Sequence, residues 1–174
     1  VQVILDAEDG NVISAEGIQG VLEVQRLAES DPVVIGALAP ADGGTPSILS
    51  FLSPVIDALT DDGIDPLQAT GEQIASVARA AYASDDAALA ISLTSRDKDL
   101  TTPAARAGMV LVRFRPGLSD TEVGEAALAV RAALQEIEVE GLTVEVFSLE
   151  VLFDEMQQTM DREIPPLLGL SFLL

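Results

Sequence analysis

The chain has 174 residues, with neither cysteine nor histidine, and its nine basic residues stand against 29 acidic ones for a formal net charge of −20. Disulfides, thiol chemistry, the commonest general base and the commonest nitrogen metal ligand are thereby excluded. The charge excess repels nucleic acid and anionic lipid surfaces, and the length suits one domain, with or without a large insertion.

Lys98 is the only lysine, and the other eight basic residues are arginine. Such a surface suits a high-salt milieu, where screening relieves self-repulsion, or is simply that of an acidic soluble protein. Thermal unfolding separates the two. If the high-salt reading holds, the midpoint rises between low and molar salt, and a flat response removes that reading.

Val1 to Ala7 is predicted as the first strand, and a start at Val1 without methionine or leader reads as part of a longer chain. A turn at Asp9-Gly10 follows, then a helix capped by Ser14 and running to Glu29, with Ile18, Val21, Leu22 and Leu27 on its apolar face. Asp31-Pro32 is expected to break that helix, and Val33 to Leu38 to form the second strand. Pro40 to Pro46 then opens an insertion. Within it, Ile48, Phe51, Leu52, Val55, Ile56 and Leu59 recur at helical spacing, giving a short helix interrupted or started near Pro54. Thr70, with Gln73 three residues on, caps a second inserted helix through Ile74, Val77, Ala78, Ala81 and Tyr82. Asp85 and Asp86 stop it or cap a short helix over Ala87 to Leu93, and the polar loop Thr94 to Ala107 carries Arg96, Lys98 and Arg106.

The strongest pattern lies in Met109 to Phe147. Val110, Val112 and Phe114 alternate with Leu111, Arg113 and Arg115 as in a half-buried strand, which Pro116-Gly117 ends. Ser119 and Glu122 have capping-box spacing. Val123, Ala126, Ala127, Val130, Ala133, Leu134 and Ile137 give the following helix one apolar face, and after Gly141 the segment Leu142 to Phe147 alternates as a returning strand. The N-terminal segment repeats this unit more weakly, with Gly10 and Ser14 answering to Gly117 and Ser119. The expectation is therefore an α+β fold: two βαβ repeats forming a ferredoxin-like four-stranded sheet, helices on one face, and a helical insertion between the repeats. Its parts are a first half at 1–39, the insertion at 40–107, a second half at 108–148 and a connecting helix at 149–163. Leu149, Leu152, Phe153, Met156 and Met160 share one face of that last helix, which leads into the uncharged run Ile164 to Leu174. This run reads as the start of a membrane helix at 164–174 or, failing that, as a terminal strand or core helix.

No catalytic constellation emerges. Neighbouring residues point apart, so Asp61-Asp62 and Asp85-Asp86 read as loop caps rather than calcium ligands or acid/base couples. Ser92, Thr94 and Ser95 have only Lys98 as a candidate base. Phosphate-binding and EF-hand patterns do not occur. No cofactor and no metal site is expected, and the chain is not expected to be an enzyme. The Phe153, Met156 and Met160 stripe fits core or subunit packing, or a hydrophobic ligand surface.

Taken together, VLVRFRPGLSDTE, LTVEVFSLEVLFDEMQQTMDREI and IPPLLGLSFLL resemble an extracytoplasmic porter domain of the resistance-nodulation-division transporters. The branch is that of the mycobacterial large membrane proteins and hopanoid exporters. The resemblance spans most of the chain, strongest from Ala107 onward and weak across Pro40 to Ala107. It implies a cell-membrane protein with this domain on the extracytoplasmic side, binding or gating hydrophobic or lipid-like substrates for an ion-driven exporter. Its partners would be a second porter domain and the membrane helices of the same transporter; a homo-oligomer is also compatible. The proton-relay acids of that family sit on membrane helices and have no counterpart here. An apolar ligand or partner surface is expected around Phe51, Val55, Leu59 and Tyr82, or around Phe153 and Met156. The competing reading is a free-standing soluble module that binds a ligand or protein and has no transport role.

Overall fold

Three side-chain caps set three of the helices. The Ser14 hydroxyl accepts from Gly17 N at the start of α1 (Ala15–Ala28), Thr70 and Gln73 close a capping box on α4 (Gly71–Tyr82), and Ser119 and Glu122 close another on α6 (Asp120–Leu134). Each satisfies amides that the first helical turn leaves without partners. Replacing Ser119 by alanine is expected to cost about 1 kcal/mol, read as a lowered urea midpoint. The backbone and hydroxyl hydrogen bonds from Ser119 hold the Glu122 carboxyl below its ordinary range. Because that folded pKa is depressed, the stability Glu122 contributes is present above the unfolded pKa and is lost as pH falls through the folded one. Ser119→Ala removes the hydroxyl bond but keeps the larger backbone one, so it should shallow this acid limb without abolishing it.

The computed structural model describes residues 1–8, 10–40, 47–95, 97–99, 101–135, 137–148 and 152. It is of the α+β class. Four strands, β1 (Gln2–Ala7), β2 (Ile48–Ser50), β3 (Ala107–Val112) and β4 (Leu142–Phe147), form one sheet in the order β2-β3-β1-β4. All three neighbouring pairs are antiparallel, with Val3 opposite both Val110 and Val146, and Ile48 opposite Val112. Strands from the first 50 residues and from 107–147 thus pair in a single sheet. Val3, Leu5, Val110 and Val112 are buried, and Val144 and Val146 pack half-buried against the same core.

Two expected elements differ. Val33 to Leu38 is not a strand: Pro32–Ala37 is a helix, α2. The Asp31 carboxylate accepts from Val33 N at 2.8 Å and Val34 N at 3.2 Å, and Pro32 occupies the first turn, where its missing N–H costs nothing. The Asp-Pro pair starts a helix rather than only ending one. The second strand instead falls inside the expected insertion, at Ile48–Ser50, and the Ile48-to-Leu59 pattern becomes helical only as α3 (Ser53–Asp61), with Pro54 in its first turn as expected of a helix starting there. Leu38 bridges Phe114 and Ala39 N donates to Arg113 O, so Leu38–Ala39 and β2 line the same edge of β3.

The core lies on one face of the sheet. Val3, Leu5 and Ala7 alternate inward with Gly108, Val110 and Val112, and with Ile48 and Ser50, and α1, α3, α4 and α6 supply the apolar residues that cover them. Close approach fixes this packing. A Cβ on Gly108 would sit 2.4 Å from the Phe51 ring, so only glycine lets that ring lie against β3. A short 3₁₀ turn (Asp85–Ala87) and α5 (Ala88–Ser92) lead to the loop before β3. There the Lys98 ammonium donates to Ile91 O, Arg79 Nε donates to Thr101 O, and Asp99 accepts from the amides of Thr101 and Thr102. These charges hold a turn together. Among the described residues no helix is long and apolar enough to cross a membrane. The connecting helix expected at 149–163, Leu152 apart, and the apolar run at 164–174 lie outside the described residues.

Candidate functional site

Of the residues expected to form an apolar surface, Phe51, Val55 and Leu59 are 0% exposed and Tyr82 is 5% exposed. They do not make a surface. They fill the space between α3, α4 and the sheet, and the Tyr82 hydroxyl donates to Phe51 O at 2.9 Å, where burial pushes the phenol pKa up. The apolar face of a helical stripe records that something covers it; here the cover is the chain's own sheet. Phe153 and Met156, the other expected group, lie outside the described residues.

The acidic pairs and the hydroxyls have local work. Asp61 closes α3 and Asp62 follows as its C-cap, while Ser84, not Asp85, caps the 3₁₀ turn. Ser92 Oγ donates to Leu89 O and Thr94 Oγ1 to Ile91 O, while Ser95 Oγ accepts from Ala107 N. Lys98, which would have to serve as their base, is held on Ile91 O. Among the described residues no group of three or more acidic side chains could hold a metal ion.

The surface that remains is the face of the sheet turned away from the core. In register across it run Leu49 beside Leu111, Met109 beside Ile4, and Phe147 at the β4 edge. None of these five is buried, and Phe147 is 48% exposed. At one end of this apolar row Asp6 meets Arg106 Nε at 3.5 Å, and Glu145 flanks Ile4 on β4. Ile4, Leu49, Met109 and Leu111, from three adjacent strands, thus lie together as a half-buried apolar row bordered by charge. The sequence carries the signal: Val3-Ile4-Leu5 and Met109-Val110-Leu111-Val112 are apolar at both alternating positions, the pattern of strands meant to be covered on two faces.

No protein-family model matches the chain, and no curated protein and no solved structure matches it either. Functional inference therefore rests on the residues and their arrangement.

Proposed function

We propose that this chain is an extracytoplasmic substrate-binding or gating domain of an ion-driven exporter of hydrophobic or lipid-like molecules, as its resemblance to the porter domains implies. The sheet is read as two interleaved βαβ units in the split, ferredoxin-like manner. Strand order supports this. β1 and β2 flank β3, while β3 and β4 flank β1, although β2 falls at 48–50, in the expected insertion rather than in the first half at 1–39. The turn glycines Gly10 and Gly117 support it too, with φ of 83° and 88° ahead of the capping serines Ser14 and Ser119.

The observation that carries the proposal is the half-buried apolar row on the sheet face turned away from the core. A second domain of the same transporter, or a lipid-like substrate passing between the two, would cover Ile4, Leu49, Met109 and Leu111. In this reading the domain does no bond chemistry, since ion movement through membrane helices supplies the energy. Fractionation of cells carrying an epitope-tagged gene product tests the placement. The expected result is a membrane-bound protein whose domain is cut by protease added outside the cytoplasmic membrane. A product found in the soluble cytoplasmic fraction, or protected until that membrane is opened, contradicts it.

A further inference from the structure

We infer that the groove between α3, β2 and α5 is a binding site for a small amphipathic cation, an alkyl chain carrying an ammonium head, whether or not the chain belongs to an exporter. The groove has a volume of about 600 Å³, within the range of small-molecule sites. Its apolar part is made by Leu49, Leu89 and Leu93, and Leu89 is 50% exposed. Its polar wall is of one sign. Asp57 and Asp61 stand one helical turn apart on α3, Asp86 faces the same space, and among the described residues no lysine or arginine lines it.

Like charges four residues apart on a helix destabilise it, and no described lining residue carries the opposite charge. Burial first, and Asp61 second, hold the Asp57 carboxyl above its ordinary range. A ligand ammonium between the two carboxylates would relieve this repulsion, while its chain would cover the exposed leucine. An anionic or neutral amphiphile would gain only the second term. A chainless ammonium would gain only the first, which exposed ion pairs make small.

The test is titration of decyltrimethylammonium, below its micelle concentration, into the 174-residue chain at fixed ionic strength, followed by amide shifts in α3 and α5. One saturable site perturbing Ala58, Ala90 and Leu93 is expected. Asp57→Asn with Asp61→Asn should weaken it by about fivefold to tenfold. Glu72→Gln with Glu125→Gln, which lowers the net charge equally outside the groove, should leave affinity within about twofold. Leu89→Ser, at an exposed position that leaves the fold intact, should also weaken binding. Equal weakening by the two charge pairs would reduce the effect to the overall charge and overturn the proposal. So would equal affinity for decyl maltoside or for tetramethylammonium, or binding of a basic amphipathic peptide in the groove with none of the alkylammonium.

Discussion

Phe51→Ala is expected to lower the unfolding free energy by about 4 kcal/mol, measured by urea denaturation followed by circular dichroism. The ring is 0% exposed and lies against Gly108, where β3 has no side chain of its own to fill the gap. Removing it takes away the transfer free energy of the whole ring and leaves a void that the glycine cannot close. Tyr82 sharpens the test. Its hydroxyl is bonded to the Phe51 carbonyl, so Tyr82→Phe leaves a buried acceptor without a donor and is expected to cost about 1–2 kcal/mol. Were Phe51 a ligand contact on a surface, alanine there would abolish binding and leave the midpoint unchanged. An unchanged midpoint would therefore restore it to the surface and undo the packing described above.

Gly17→Ala and Gly124→Ala should have opposite signs although both residues stand inside helices. A Cβ on Gly17 would fall 1.8 Å from the Val12 carbonyl oxygen and 3.4 Å from Leu52. The first neighbour is backbone, so the start of α1 would have to move off the segment before it, with an expected loss of about 3 kcal/mol or more. At Gly124 nothing lies within 4 Å of the added carbon. Alanine there only removes conformational freedom from the unfolded chain and improves helix propensity, so a gain of about 0.5–1 kcal/mol is expected. Thermal or urea unfolding of the two variants checks both. Equal losses at the two positions would show that helical glycine is simply required, and not the close approach of α1.

What could be read from the residues followed the range of the interaction involved. Ser14, Thr70 and Ser119 were legible as caps because a cap is settled within four residues, and the structure has all three. Val33 to Leu38 was not, since six apolar, partly β-branched residues fit either period; the deciding signal was Asp31-Pro32 as cap and first turn. The strand at Ile48–Ser50 is three residues long, and only its pairing with β3 makes it a strand. That pairing is tertiary. For the same reason Phe51, Val55, Leu59 and Tyr82 were legible as an apolar stripe but not as core, because periodicity identifies a covered face without naming the cover. The outward apolar row is not legible in the alternation of Leu111 with Arg113 and Arg115. The true neighbours of Leu111 are Leu49 and Gln2, set by the register of three strands.

The proposal that this face works in an exporter is tested most directly by the surface lipid content of cells. The gene encoding the chain is deleted, then restored either intact or with Leu111→Glu and Met109→Glu, two half-buried positions on the sheet face turned away from the core. The account predicts that deletion depletes hydrophobic lipid from the cell surface and that the intact gene restores it. The doubly substituted gene, present in the membrane fraction at the same level, should not. Unchanged surface lipid on deletion would contradict the transport role, and full restoration by the substituted gene would contradict the assignment of this face to it.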